Sequence, residues 1–203
     1  MAKPETWSSE KIEAMLNPMR KVELRVSKEL SGLMKPFTVL LLVQPEEYSN
    51  IKKGIIMFSR KSHDIIIYIS LNMGYGKFSE EIHKEKENME GIHFIDLVSE
   101  NSNIKKPDMK NVYYLSSPTD LSECIVVAEK ILSDNNKKSL LILDSVSTLM
   151  VYNKQETTEK FIHALIEKAN TTNSNAIIMS PDSEKKERVT QTIAQFVDRT
   201  IRI

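Results

Sequence analysis

Six short apolar runs, separated by stretches of helical pattern, constrain the fold of this chain most strongly. They cover residues 37–43, 65–71, 92–98, 112–115, 140–143 and 176–179. Several are continuously apolar rather than alternating, as expected for strands that are covered on both faces. Because strands and helices follow one another in turn, the pattern predicts an α/β fold with a mostly parallel sheet between two helical layers. Residues 200–203 alternate like an edge strand.

Three helices are predicted in the second half of the chain. The stretch SPTD at residues 117–120 has the form of a capping box with proline at the first helical position, so a helix is expected to begin there. A second helix is expected after Asn153. A third is expected to carry its apolar face across residues 189–197.

Residues 1–34 are predicted to form a helical N-terminal extension, followed by one domain at residues 35–203. Asn17 and Pro18 can end a first helix and start a second, with Asn17 as its cap. One face of this region is apolar, with a seven-residue recurrence at Ile12, Met19, Val26 and Leu33. We expect that face to pack on the domain. A dimer seam is the alternative, although Pro18 disfavours a continuous coiled coil.

Charge and cysteine content disfavour several classes of function. The 28 basic residues balance 28 acidic ones, so nothing favours a general nucleic-acid binder. No apolar run approaches the length of a membrane span, and no apolar core of a signal peptide is visible near the N-terminus. Cys124 is the only cysteine, which favours the cytoplasm, and we expect it to be a buried structural thiol. The four histidines lack metal-site spacing, so no metal is predicted.

The turn after the first apolar run is where many α/β proteins grip phosphate, through a loop of the form G-x-x-x-x-G-K-[ST]. The eight positions here are Gln44, Pro45, Glu46, Glu47, Tyr48, Ser49, Asn50 and Ile51. Both glycines, the lysine and the hydroxyl are replaced, and two glutamates add negative charge where a triphosphate would lie. The loop is therefore not expected to bind triphosphate. Lys52 and Lys53 follow it, but their offset along a helix is expected to point them elsewhere.

A second stretch, MGYGKF at residues 73–78, also contains two glycines. It lacks the third glycine of a dinucleotide loop and the hydroxyl of a phosphate loop, so a flexible strand-to-helix loop is predicted. The charges at Glu80, Glu81 and residues 84–87 are expected to form a solvated helix face, and residues 185–188 a solvated helix start. Whether side chains such as Tyr48 and Tyr75 fill the pocket is left open.

The run at residues 140–143 delivers Asp144 to a strand end. This stretch, LLILDSVSTLMVYN at residues 140–153, resembles the Walker B-like, magnesium-aspartate strand of RecA-like ATPases in the archaeal KaiC-like branch. Residues 65–72, 116–123 and 193–203 resemble segments of the same group. The resemblance covers about residues 36–203. It implies the RecA-like fold of P-loop NTPases, a three-layer sandwich.

The same resemblance implies a lost activity. Active relatives carry a catalytic glutamate after the second strand, where this chain has Asn72 and Met73. An amide cannot take a proton from water, so a general base is missing as well as the phosphate loop. Asp144 and Ser145 are retained. We expect the Asp144 carboxylate to bond loop N–H groups or the hydroxyls that follow it, with residual metal binding as the alternative.

These features predict a pseudo-ATPase: a catalytically inactive RecA/KaiC-like domain that needs no cofactor. Its partner would be another protein, a paralogous RecA-like subunit or a second copy of itself, with no membrane and no nucleic acid. One alternative is a protein that binds or weakly hydrolyses Mg-ATP through an altered loop. Another, a DNA-repair or recombination accessory factor, rests on family analogy alone.

Overall fold

Seven strands form one sheet in the computed structural model, which describes residues 17–85, 88–101, 108–133, 136–182 and 187–203. The strands are β1 (Thr38–Val43), β2 (Ile65–Ser70), β3 (Ile92–Asp96), β4 (Val112–Tyr114), β5 (Ser139–Asp144), β6 (Asn175–Pro181) and β7 (Arg199–Arg202). Their order is β4-β3-β2-β5-β6-β1-β7, and all neighbours are parallel. Every predicted strand is present, and β7 lies at an edge of the sheet as expected.

Helices connect most of the strands. They are α1 (Pro18–Leu30), α2 (Tyr48–Ser62), α3 (Tyr75–Lys84), α4 (Leu121–Leu132), α5 (Val146–Tyr152), α6 (Gln155–Thr171) and α7 (Glu187–Ile193). Short 3-10 turns lie at Pro45–Glu47 and Ser99–Asn101. Among the described residues, none of these helices combines the length and apolar character that crossing a bilayer requires.

Two apolar cores lie on opposite faces of the sheet. Successive side chains of a strand point to opposite faces, so Val39 and Leu41 of β1 pack with α1, α2 and α3, whereas Leu40 and Leu42 pack with α4, α5, α6 and α7. The continuous apolar runs in the sequence are therefore the central strands, buried on both faces. The predicted three-layer α/β sandwich is confirmed.

Helix α1 packs on the domain as predicted. The Asn17 side chain caps it by accepting from the backbone N–H of Met19 at 3.0 Å, with proline in the first turn. Val26 and Leu30 are buried in the same core as α2. A Cβ added to Gly54 of α2 would lie 2.9 Å from Val22 Cγ1, so the two helices approach closely. Ile12 and the first predicted helix lie outside the described residues.

Three details of the helix predictions need correction. Helix α4 begins at Leu121 rather than beside Ser117, because the Ser117 hydroxyl accepts from the Thr119 N–H at 3.1 Å and caps a turn instead. Helix α7 ends at Ile193, although residues 196–197 still pack against the same core. Helix α5 was not predicted. Lys185 and Lys186 of the run at 185–188 lie outside the described residues.

Cys124 lies fully buried on α4, as predicted, and burial raises the pKa of its thiol. Since only the thiolate attacks alkylating reagents, we expect Cys124 to resist maleimide in the native protein at pH 7.5. The same chain in guanidinium chloride should be labelled fully. Mass spectrometry of both samples measures the difference, and rapid labelling of the native protein would contradict the buried assignment.

His63, just after α2, is held in its neutral form by its neighbours. The side-chain oxygen of Asn175 accepts from the Phe37 N–H at 2.9 Å, which leaves its NH₂ group to donate to His63 Nε2 at 2.8 Å. The ring proton is therefore on Nδ1, which faces the Ser59 carbonyl at 3.2 Å. Burial lowers the pKa of His63, and the charges of Lys35 and Lys138 lower it further.

This arrangement predicts a pH dependence of stability. The unfolded chain takes up a proton on His63 near pH 6.5, while the folded chain resists it, so the free energy of unfolding should fall as the pH drops below about 6.5. Urea unfolding at pH 7.5 and pH 5.5 measures the change. The His63→Gln variant shares every other titrating group and should lose less stability over that range. An equal loss in both proteins would contradict the assignment to His63.

Candidate functional site

The carboxyl ends of β1, β2, β5 and β6 surround a cavity of about 480 Å³, which we call the strand-end cavity. The connection after β1 leads across the sheet to β2, whereas the connection after β6 leads the other way to β7. Ligands of open α/β sheets bind at such a point, outside the carboxyl ends of the strands. Seven of the predicted site residues line the cavity, namely Pro45, Tyr48, Ser49, Asn72, Met73, Asp144 and Ser145.

Asp144, at the end of β5, is the centre of the site and is almost fully buried. Its Oδ1 accepts from the Tyr48 hydroxyl at 2.8 Å and from the Asn72 amide at 2.6 Å. Its Oδ2 accepts from the Tyr68 hydroxyl at 2.5 Å. The prediction that this carboxylate bonds loop N–H groups or the hydroxyls after it is therefore corrected, because the donors are side chains of α2, of β2 and of the loop that follows β2.

Asn72, which the sequence resemblance predicts to stand at the position of a catalytic glutamate, joins Asp144 to a group of hydroxyls. Its amide nitrogen lies 3.4 Å from Ser145 Oγ, and its oxygen accepts from Thr148. Ser145 Oγ lies 2.9 Å from Ser147 Oγ. The peptide bond between Asp144 and Ser145 is cis. Both protons of the Asn72 amide and its oxygen therefore have partners within the network.

Tyr48 begins α2 in the middle of the predicted phosphate-loop positions, and its side chain is turned into the cavity. Burial raises the pKa of the Tyr48 and Tyr68 hydroxyls, and the charge of Asp144 raises it further. Both hydroxyls therefore stay protonated and act as donors to the carboxylate. Tyr75 does not enter the cavity, since its hydroxyl faces Met109 Sδ at 3.1 Å.

The remaining loop positions lie outside the cavity lining. Gln44, Glu46, Glu47 and Asn50 are exposed, and Glu47 forms an ion pair with Arg25 at 2.5 Å. Ile51 is buried in the core beneath α2. The structure thus brings together only Pro45, Tyr48 and Ser49 of the eight positions, because the 3-10 turn and the first turn of α2 carry the others outward or into the core.

Lys52 lines the cavity, contrary to the prediction that it points elsewhere. It follows Tyr48 by four residues, and such residues share a helix face. Its side chain is buried, and Nζ lies 3.0 Å from Glu81 Oε2 and 3.5 Å from Met73 Sδ. Glu81 is thus the partner of a buried lysine rather than part of a solvated face. The four-residue spacing from Tyr48 to Lys52 was the available signal.

Charge in the cavity is balanced. Its charged lining consists of Lys52, Lys77, Glu81 and Asp144, which sum to zero. A polyphosphate would therefore meet no excess of positive charge. Within the ranges that the structure describes, no three His, Cys, Asp or Glu residues are placed to hold a metal ion.

The glycine-containing stretch after β2 is tightly packed. Helix α3 begins at Tyr75, inside the stretch predicted as a flexible loop. The buried Asp96 accepts from the Tyr75 N–H at 2.8 Å and the Ser99 hydroxyl at 2.7 Å. A Cβ on Gly74 would lie 2.2 Å from Ser99 Oγ. A glycine is therefore required here for a close approach between side chain and backbone.

Gly74→Ala is expected to destabilise the fold by about 1–3 kcal/mol, because the added methyl group displaces Ser99 from its bond with Asp96. Gly76→Ala is the matched control on α3. Nothing lies within 4 Å of its added Cβ, so it should stabilise the helix by about 0.5–1 kcal/mol. Urea unfolding of both variants measures the difference, and a neutral Gly74→Ala would show that the contact is not tight.

Comparison with known proteins supports the fold assignment. A family model described as a family of unknown function (DUF7090) matches residues 38–203. No curated protein matches the chain. Two solved structures from Pyrococcus horikoshii are similar, and at such low sequence identity the likeness shows the fold alone.

The first of these structures is an uncharacterised protein in complex with an unknown peptide. It has a TM-score of 0.66 and 15% identity, over 88% of this chain and 82% of that chain. The second is a KaiC-like protein, with a TM-score of 0.52 and 10% identity, over 73% of this chain and 62% of that chain. The parallel sheet and these neighbours together establish an α/β fold of the RecA-like, KaiC-like type.

Proposed function

We infer the function of this chain, which belongs to the family of unknown function DUF7090, from its strand-end cavity. In this proposal the chain is a cytoplasmic RecA/KaiC-like domain that does not turn over ATP and acts by binding a protein partner. One observation carries the first part: the Asp144 carboxylate already has three side-chain donors, Tyr48, Tyr68 and Asn72. In nucleoside triphosphatases such a carboxylate is left free for magnesium.

Two further residues of the cavity, Asn72 and Lys52, are also unsuited to phosphoryl transfer. Asn72 replaces the general base and is held by Thr148 and Asp144. The buried ammonium of Lys52 is neutralised by Glu81 at 3.0 Å. Phosphoryl transfer depends on metal and cationic groups that offset the charge of the phosphates. The balanced cavity therefore supports a pseudo-ATPase with a degenerate phosphate loop, and no cofactor is proposed.

Mg-ATP is the decisive probe of this proposal. We expect the melting temperature to be unchanged at millimolar Mg-ATP, and no phosphate release above a buffer blank. Tyr48→Phe frees one bond on Asp144 and should leave both results unchanged, since the other missing groups are not restored. A ligand at 100 times its Kd adds about 2.7 kcal/mol of stability. A rise of several degrees in the wild type would therefore overturn the proposal.

The cavity instead suits a segment of another protein. Its lining mixes the exposed ammonium of Lys77, the thioether of Met73 and the ring of Pro181. Clefts of this size that mix apolar and polar lining are typical ligand sites, and extended peptide segments are recognised through side-chain pockets. The similar uncharacterised protein was crystallised with a peptide, which favours an extended segment over a folded surface. A paralogous RecA-like subunit or a second copy of this chain could supply that segment.

Selection from a random peptide library against the full chain tests this second part. Selected peptides should lose about tenfold in affinity, or 1.4 kcal/mol, when Lys77 is replaced by glutamate at the cavity. Lys84→Glu, on the exposed end of α3 and outside the lining, should bind as the wild type does. Light scattering shows whether the chain itself supplies the segment. Equal affinity of both variants would remove the cavity as the binding site.

A second candidate, nucleotide binding through an altered loop, has one observation in its favour. The cavity of about 480 Å³ carries two lysines, Lys52 and Lys77, near the strand ends. Binding of Mg-ATP there would require Tyr48 to leave Asp144 and Lys52 to leave Glu81. The thermal shift with Mg-ATP separates this candidate from the first.

A further inference from the structure

A second pocket lies at the opposite end of the strands and plays no part in the proposed function. It has a volume of about 190 Å³ and lies beside the amino-terminal ends of β1, β2, β5 and β6. Lys35 and Lys138 line it together with neutral polar groups, and no carboxylate does. The pocket therefore carries two positive charges, whereas the charges in the lining of the strand-end cavity cancel.

Neither lysine has an acidic partner within the described residues. The carboxylate of Asp64 accepts from the backbone N–H of Lys138 at 2.9 Å and does not line the pocket. Burial is the main cause of the lowered pKa of His63; both ammonium groups lower that pKa further, and the charge of Asp64 opposes them. Positive potential from the two lysines thus reaches the wall of the pocket. An anion between them would gain two charge-assisted hydrogen bonds.

Two neutral side chains of the lining, Asn175 and Ser139, can donate hydrogen bonds into the pocket. Asn175 is oriented by the Phe37 N–H at 2.9 Å, so its NH₂ group faces His63, and one of its two protons is left for a further acceptor. Ser139 Oγ makes only a long bond of 3.4 Å to the Lys137 carbonyl. Its hydroxyl can turn to an anion at little loss. The pocket therefore offers hydrogen-bond donors as well as charge.

We propose that this pocket binds a phosphate group, held by the ammonium groups of Lys35 and Lys138 with donors from Ser139 and Asn175. Its volume is roughly six times the ~30 Å³ that one water molecule occupies in the liquid. That space suits inorganic phosphate or a small phosphate ester and is too small to enclose a nucleotide. The site is separate from the strand-end cavity, so it stands whether or not ATP binds there.

Titration of the full chain with inorganic phosphate at constant ionic strength tests the proposal. Isothermal calorimetry should show saturable binding that weakens at least tenfold in the K35Q/K138Q double variant. The K28Q/K84Q double variant removes two exposed lysines elsewhere and should bind as the wild type does. No saturable binding, or equal weakening in both variants, overturns the proposal.

Two further measurements complete the test. Glycerol phosphate distinguishes the source of the ligand. If it binds more tightly than inorganic phosphate, the natural ligand is a phosphate ester; if it binds more weakly, the ligand is the free ion. Acetate is the control anion, and acetate binding as tight as that of either phosphate would overturn the proposal. If K35Q/K138Q does not fold, the imidazole signals of His63 in the wild-type NMR spectrum decide. Phosphate must shift them at fixed pH, and unmoved signals overturn the proposal.

Discussion

Replacing Asp144 with alanine is expected to lower the free energy of unfolding by about 3 kcal/mol. The hydroxyls of Tyr68, which is fully buried, and of Tyr48, which is partly buried, then lose their acceptor, and a buried donor left unpaired costs about 1–3 kcal/mol. Relief from burying a charge offsets part of that loss. Urea unfolding with circular dichroism measures the change, and the slope against urea checks that both proteins unfold alike.

A double-mutant cycle identifies the cause. Tyr68→Phe alone removes one donor and should cost about 1.5–3 kcal/mol, because its acceptor is charged. In the Tyr68→Phe, Asp144→Ala double variant the losses should be clearly less than additive, since both changes remove the same bond. A carboxylate kept free for metal binding would contribute little to the free energy of unfolding in the absence of metal. If Asp144→Ala is neutral or stabilising without metal, the network does not hold the site together.

Phe94→Ala is expected to have the largest effect, a loss of about 3–5 kcal/mol, because Phe94 is fully buried and its removal leaves a cavity. The ring lies 4.8 Å from Phe78 and 5.6 Å from both Tyr68 and Tyr75, measured between ring centres. This cluster packs against the ring of Tyr68, whose hydroxyl donates to Asp144. Thermal and urea unfolding measure the loss.

Phe94→Leu is the matched control for this prediction. It keeps most of the buried volume, so it should cost less than half as much as alanine. If the alanine variant loses less than about 1.5 kcal/mol, the core at this end of β3 collapses around the gap, and the aromatic cluster is not what fixes Tyr68.

Local sequence signals predicted most of the fold. Continuous apolar runs located the strands, and Asn17 with Pro18 located the start of α1. The capping box at residues 117–120 failed because a serine hydroxyl can bond a turn two residues ahead as readily as a helix three residues ahead. Helix α5 was missed because it is only 7 residues long and directly follows a strand.

The candidate site was predicted only in part. Asp144, Asn72 and Tyr48 were identified from their places in the chain, and all three line the cavity. Tyr68 was hidden within an apolar strand, and Glu81 within a charged helix face. Neither carries a local signal for a buried polar contact, since each partner lies on another element.

The alternation of strands and helices and the burial of the sheet could be predicted from the sequence alone, because the spacing of apolar residues along the chain is a local property. The donors that meet Asp144 could be identified only from the three-dimensional arrangement of the strands and helices. Tyr48, Tyr68 and Asn72 lie 96, 76 and 72 residues away from it along the chain. They converge because β2 pairs with β5 and α2 begins beside their ends, and that order of strands is fixed by packing across the whole sheet.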